Sequence, residues 1–286
     1  MSVVKRNAII MAAGLSTRFV PLSLEKPKAL LKVKNEILIE RQIMQLMEAG
    51  ISNIILVVGY LKEQFHYLQD KFDITIVENP YYLKRNNHSS LYVAREHLGN
   101  SFICSGDNYF HENVFMEQSD VPYYASVYTK GCTDEWCFTV DKEWKITDVM
   151  VGGKDAWIMK GHAFFTDEFS GQMKPLLIKA MENPDDRSKF WENLYMENID
   201  EMAMFVKRYE DGVIEEFDNL EELRKFDKTY SNNTECGLLE KIAGKLGCPE
   251  RDLLDFEPLK LEEKVFGFTF RMQGKFYRYE LGKGLV

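Results

Sequence analysis

Residues 7–11, Asn-Ala-Ile-Ile-Met, form a short apolar run that passes directly into Ala12-Ala13-Gly14-Leu15-Ser16-Thr17-Arg18. An unbroken apolar run of this length, ending in a glycine-bearing loop, is the pattern of a buried first strand in a sheet covered on both faces. Glycine lets the backbone approach a ligand closely and adopt positive φ, so such a loop can turn several N–H groups onto a phosphate. Arg18, Lys26, Lys28 and Lys32 follow, with Pro21 and Pro27 between them. Arg18 can fork onto phosphate oxygens, and Lys28 can set a point charge beside a phosphorus under attack. An ordinary strand-to-helix turn with solvated cations would explain the loop alone. The joint spacing of Gly14, Arg18, Pro27 and Lys28 favours a phosphate site.

The rest of the first half repeats the strand and helix alternation. Apolar residues at helical spacing over 38–49 lead to Gly50, where a C-terminal cap belongs, and 54–58 (Ile-Ile-Leu-Val-Val) is a second buried strand. A helix at 65–71, a strand at 74–77, a helix at 89–98 and a strand at 101–104 follow. This order predicts an α/β fold, a doubly wound, mostly parallel (mixed) sheet whose ligands lie beyond the carboxyl ends of the strands. After Val121 the texture becomes alternating and aromatic, with antiparallel strands expected at 124–128, 136–140 and 157–165, then a helical region over 172–198, strands at 204–208 and 213–218, and a helix at 220–230. Residues 231–235 (Ser-Asn-Asn-Thr-Glu) read as a linker, giving domains 1–230 and 231–286.

The formal net charge is −9, from 36 Lys and Arg against 45 Asp and Glu. Bulk electrostatics therefore gives no attraction to nucleic acid or an anionic membrane, and a phosphorylated ligand must meet a local cation cluster. No apolar stretch is long enough to span a bilayer, and the opening residues turn too quickly from basic to glycine-rich for a secretory signal. The five cysteines lack zinc-site spacing or disulfide density. A cytoplasmic protein is expected.

The loop resembles that of the nucleoside-triphosphate transferase family, whose pattern is G-x-G-[ST]-R-x-x-P…K-P-K-x-[LM]; the second Gly of that pattern is Ser16 here. The Walker pattern G-x-x-x-x-G-K-[ST] is absent. Within the family the chain is similar, over about residues 7–228, to the bacterial CTP:phosphocholine cytidylyltransferases. The likeness is carried by Val57-Val58-Gly59-Tyr60-Leu61-Lys62-Glu63-Gln64-Phe65, Asn86-Asn87, Ser89-Ser90-Leu91-Tyr92, Asp107-Asn108-Tyr109 and Cys132-Thr133-Asp134-Glu135-Trp136. It implies CTP and phosphocholine as substrates and a nucleotidyltransferase Rossmann-like fold. It also implies base and ribose contacts from Ala12, Gly14, Gly59, Asn87 and Ser89, in a nucleotide loop that includes Ala13, Leu15, Ser16 and Thr17. The catalytic residues implied are Lys28, Arg18 and Asp107.

Asp107 follows an apolar strand with Gly106 beside it, where a carboxylate can reach a cation bridging phosphates. Glu216-Phe217-Asp218 offers two more carboxylates, which strand spacing would point to one face. Mg²⁺ held by Asp107 with Glu216, Asp218 or both is the expected cofactor; an exposed acidic edge explains Glu216 and Asp218 equally well. For the substrate's quaternary ammonium, ring faces and nearby carboxylates are needed. The resemblance points to Trp136, Glu135, Phe190, Trp191 and Glu192, with Trp157 left open between box and core. Phosphoethanolamine, 2-aminoethylphosphonate and sugar-1-phosphates are alternative acceptors. A catalytically idle nucleotide-binding module is a further alternative, disfavoured by the presence of Lys28 and Asp107.

In the last fifty residues Leu238, Leu239, Ile242 and Leu246 fall at helical spacing, and Phe266, Phe268 and Phe270 alternate before Gln273-Gly274. A helix and a β-hairpin are expected. The stretch weakly resembles the opening of bacterial choline kinases, but carries no catalytic-loop Asp with a downstream Asn. It is expected to be a small α+β appendage, a kinase-like remnant without kinase activity, whose aromatic face packs on the main domain or mediates a homo-oligomer.

Overall fold

The apolar run at the start of the chain forms strand Asn7–Ala12, which lies inside a seven-stranded sheet. The structure, a computed structural model, describes residues 5–117 and 119–286. These divide into two compact units: residues up to Gly14 with Leu38–Glu216, and Leu15–Ile37 with Phe217–Val286. The expected break at 230/231 is therefore not the one observed. The loop 15–37 belongs with the C-terminal residues because its polar groups are satisfied there: Lys34 N–H donates to Asp227 Oδ2 at 2.7 Å, and Tyr230 Oη donates to the Lys32 carbonyl at 3.1 Å.

In the first unit the strands run in the order Phe205–Tyr209, Tyr123–Val140, Ile146–Phe165, Ser101–Ser105, Asn7–Ala12, Ile54–Val58, Thr75–Glu78. Asn7–Ala12 pairs in parallel with both neighbours, Ala8 opposite Ile54 and Asn7 opposite Ser101. Ile146–Phe165 pairs antiparallel with both of its neighbours, so the sheet is mixed, as expected. Helix Leu38–Glu48 buries Leu38, Ile39, Ile43 and Leu46. It ends where Gly50 takes φ 81°, a left-handed cap that lets Ile51 N–H reach the Leu46 carbonyl at 2.9 Å.

Three expectations are corrected. The aromatic stretches at 124–128, 136–140 and 157–165 are parts of two strands of 18 and 20 residues that pair with each other and continue the main sheet. Repeated register shifts and the positive-φ glycines Gly131, Gly152 and Gly161 bend this ribbon, and they break the alternation that marks a strand in sequence. The helical region 172–198 is two helices, Asp167–Glu182 and Trp191–Met196. Pro184 separates them by keeping Asn183 extended, at ψ 117°. The strand expected at 213–218 is only Ile214–Glu215, paired with Tyr109–Phe110.

The second unit contains the short hairpin Lys32–Val33 with Glu36–Ile37, helices Leu220–Phe226 and Gly237–Leu246, and an antiparallel sheet of Leu254–Leu261, Lys264–Met272, Lys275–Glu280 and Gly284–Leu285. The expected tail hairpin turns at Gln273-Gly274, both at positive φ (48° and 75°), as a tight two-residue turn requires. Phe268 stacks on Tyr279 and Phe270 on Tyr277, with Phe268 and Phe270 fully buried. Among the described residues no helix is long and apolar enough to cross a membrane.

Candidate active site

The loop after Asn7–Ala12 is held close to the turn after the neighbouring strand. Tyr60 N–H donates to the Ala13 carbonyl at 3.1 Å. A Cβ at Gly59 would lie 2.9 Å from that carbonyl oxygen and 2.9 Å from Tyr82 Cγ, so the position admits only glycine. Gly14, by contrast, is exposed and a Cβ there would meet nothing within 4 Å. Neighbouring protein atoms leave its surface open, as the expected phosphate contact would require.

In the second unit the loop continues through half-buried Leu15 and Ser16 into the turn Thr17–Phe19. Ser16 sits at φ 47°, ψ 48°, in the left-handed region. That explains why the family pattern has glycine here, and Ser16 holds the same conformation with some strain. Arg18 Nη2 pairs with Asp218 Oδ1 at 2.7 Å. Lys28 opens the turn Lys28–Leu30; it is buried, with Nζ 5.0 Å from the Phe19 ring centre.

On the acidic side, Asp107 stands just past strand Ser101–Ser105, half-buried. Tyr109 pairs with Glu215, and this register sets Asn108 opposite Glu216, with Asn108 Nδ2 3.4 Å from Glu216 Oε2. Asn108 Oδ1 is buried without a hydrogen-bond partner. Asp107, Asn108 and Glu216 thus give hard oxygen donors from two adjoining strand ends, suited to Mg²⁺, which keeps several waters and takes few protein ligands. The strand face expected to be shared by Glu216 and Asp218 needs correction. Glu216 and Asp218 do not share a strand face, because pairing stops at Glu215 and the buried Phe217 carries the chain into the second unit, where Arg18 engages Asp218. Among the described residues no three His, Cys, Asp or Glu side chains form a protein-only metal cage.

The residues expected to meet the ammonium all lie in the first unit. Trp136, half-buried, meets Phe190 edge-to-face at 5.7 Å, and Phe190 is 40% exposed. Glu192 is buried; its Oε2 accepts from Asn87 Nδ2 at 3.1 Å and its Oε1 from Tyr124 Oη at 3.2 Å. Burial raises the Glu192 carboxyl to about 7, against the opposing pull of these hydrogen bonds. Tyr124 is in turn pushed up by burial and by the nearby charges of Glu192 and Glu216. Glu135 lies exposed on strand Tyr123–Val140.

Two of the expected contacts are reassigned. Trp191 is only 1% exposed and stacks on Tyr124 at 5.7 Å, so its ring is core rather than open box. Ser89 is fully buried, its hydroxyl donating to the Asn86 carbonyl and accepting from Asn79 Nδ2. It fixes the start of helix His88–Val93. Asn87 does double duty: its Oδ1 accepts from Trp191 N–H at 2.8 Å while its Nδ2 holds Glu192. Trp157 packs against Tyr128 and Trp144, apart from the Trp136–Phe190 pair. Sequence reasoning missed Tyr124, which reads as an ordinary strand aromatic, and Asn108, whose only cue was its place beside Asp107.

Comparison with known proteins supports the fold. The profile of the MobA-like NTP transferase domain matches residues 8–121. The choline-phosphate cytidylyltransferase of Streptococcus pneumoniae is 37% identical over 226 residues, 79% of this chain and 99% of that one. The 2-aminoethylphosphonate cytidylyltransferase of Lancefieldella rimae is 36% identical over 230 residues, 79% of this chain and 94% of that one. The solved structure of the CTP:phosphocholine cytidylyltransferase from Streptococcus pneumoniae (LicC) superposes with a TM-score of 0.76, covering 79% of this chain and 99% of that chain. With the strand, glycine loop and mixed sheet in place, the chain belongs to the MobA-like NTP transferase family and is a nucleotidyltransferase.

Proposed function

We propose that the protein is a cytidylyltransferase that joins CTP and phosphocholine to give CDP-choline and pyrophosphate. The observation that carries the choice of acceptor is the partly open Trp136–Phe190 ring pair, with the buried carboxylate of Glu192 two residues along the chain from Phe190. Choline has no N–H to donate and is recognised by ring faces and by the field of a carboxylate. Both Glu192 oxygens already accept hydrogen bonds from protein groups. A quaternary ammonium needs only their charge, whereas a primary ammonium needs acceptors for three N–H groups. The likeness to the Lancefieldella rimae enzyme keeps 2-aminoethylphosphonate as the second reading.

A phosphate oxygen of the acceptor attacks the α-phosphorus of CTP in line, and pyrophosphate leaves with the electron pair of the broken P–O bond. Lys28 offsets charge that develops on the α-phosphate, and Arg18 holds the departing pyrophosphate. The Arg18–Asp218 pair is solvent-exposed, 71% and 36% for the two side chains. Exposed pairs contribute about 0–1 kcal/mol, so a triphosphate competes readily for Arg18. Asp107 and Glu216 would hold Mg²⁺, and the unpartnered Asn108 Oδ1 beside them fits such a site. When bound, the ion supplies neutralisation of phosphate charge.

The test is pyrophosphate release from a panel of CTP, UTP, ATP and GTP against phosphocholine, phosphoethanolamine, 2-aminoethylphosphonate and glucose-1-phosphate, with and without EDTA. CTP with phosphocholine should be fastest, and EDTA should abolish release. A sugar-1-phosphate as the best acceptor would overturn the assignment.

A further inference from the structure

The loop that carries Arg18 and Lys28 is tied to the C-terminal appendage. Glu25, two residues before Pro27-Lys28, accepts from the first two N–H groups of helix Gly237–Leu246: Gly237 N at 2.8 Å and Leu238 N at 3.0 Å. The helix has no side-chain cap from its own preceding residue, Cys236, so Glu25 satisfies donors that would otherwise face water. Lys26 adds an ion pair to Glu235 at 3.9 Å. Strand Leu254–Leu261 packs against the turn Thr17–Phe19, which holds Arg18. The preceding helix Leu220–Phe226 anchors the appendage: the buried Arg224 guanidinium donates to the carbonyls of Tyr230, Leu253 and Glu250, and the Glu250 carboxylate accepts from Thr234 N and Oγ1.

The Streptococcus pneumoniae enzyme is covered over 99% of its length by 226 of the 286 residues here, leaving 60 without a counterpart. The extra length of this chain is thus about the size of the appendage.

We propose that the C-terminal appendage is a brace for the phosphate-binding loop, and that Glu25 is a positioning residue acting through helix Gly237–Leu246 to fix Lys26-Pro27-Lys28. The proposal deepens the nucleotidyltransferase reading and rests on it for its effect on turnover. It assigns the appendage a part in transferase chemistry rather than a separate kinase activity.

The test compares the full-length protein with Glu25→Ala, Glu25→Gln, Gly237→Pro and the Glu25→Ala/Gly237→Pro double variant. Gly237 is the first helical residue, where proline is tolerated, so Gly237→Pro removes one donated N–H and leaves the loop sequence intact. Hydrogen exchange is read at Leu24, Lys26, Leu30 and Leu31, whose N–H groups bond to carbonyls within the loop. Glu25→Ala and Gly237→Pro should each speed exchange there by about fivefold or more, without change at the central strand. Turnover should fall by about fivefold while KM for phosphocholine stays within about twofold, because the ammonium-side residues are in the other unit. Glu25→Gln, which keeps one acceptor oxygen, should recover part of the loss, and the double variant should be no worse than either single one. Unchanged loop exchange in either folded single variant, or additive losses in the double, would overturn the brace. If loop exchange rises but the wild type transfers CMP to some other acceptor, the brace stands and the phosphocholine reading fails.

Discussion

Tyr124 donates its hydroxyl to Glu192 Oε1 at 3.2 Å, and Glu192 also takes the Asn87 amide on its other oxygen. A strand aromatic, a helix-start amide and a helix carboxylate are thereby locked into one buried group. The carboxylate is buried, so its charge is only part-formed near neutrality. A bound trimethylammonium favours the ionised form.

Phosphocholine binding should therefore release a proton when Glu192 is still protonated. KM for phosphocholine should rise as pH falls below about 7, by at most tenfold per unit, and Glu192→Gln should flatten the part of that profile not due to the substrate's own phosphate. The stability sign follows from the same shift. Because the folded value is raised from 4.5 to about 7, Glu192's contribution to stability is fully present below 4.5 and is lost as pH rises through about 7. Glu192→Gln should be less sensitive to pH between 5 and 8 in urea denaturation.

Lys28→Ala and Asp107→Asn should keep the fold and lower turnover on the order of a hundredfold or more. Circular dichroism and pyrophosphate release check this together. Wild-type turnover in either variant removes that residue from the catalytic set.

Asp218→Asn separates two roles. If Asp218 serves to hold Arg18, the variant frees the guanidinium and KM for CTP should fall by up to about fivefold with kcat nearly unchanged, as expected of an exposed pair. If it were a metal ligand, kcat would fall steeply.

Ser16→Gly should stabilise the protein by about 0.5–1 kcal/mol, since glycine relieves the left-handed strain at φ 47° but adds freedom to the unfolded chain. Urea midpoints read the difference; a lower midpoint in the glycine variant would contradict it.

The parts legible in sequence were those set by local chemistry. The first strand and its loop, the Gly50 cap and the Gln273-Gly274 hairpin all follow from periodicity and positive-φ positions a few residues apart. The long bent ribbon shows in sequence only as fragments, because bulges and glycines reset its alternation. Trp136, Phe190 and Glu192 were singled out by resemblance, but residue type could not separate Trp191, a core ring, from Phe190, a partly exposed one. Asn87 meets Glu192 across 105 positions and Glu25 meets Gly237 across 212, and neither pairing leaves a local pattern. For the same reason the polar stretch 231–235 does not mark the break between units, which falls where loop 15–37 finds its hydrogen-bond partners.

Trp136→Ala and Phe190→Ala should each raise KM for phosphocholine by about tenfold while leaving KM for CTP within about twofold, the loss expected of a ring face in cation–π contact. Equal losses for both substrates would mark the pair as packing.

The acceptor assignment is tested most directly by competition: CTP and Mg²⁺ with equal concentrations of phosphocholine and 2-aminoethylphosphonate, the two CMP-linked products being resolved by mass. CDP-choline should form in clear excess, and the excess should shrink in Phe190→Ala. A dominant 2-aminoethylphosphonate product in the wild-type protein would contradict the phosphocholine assignment.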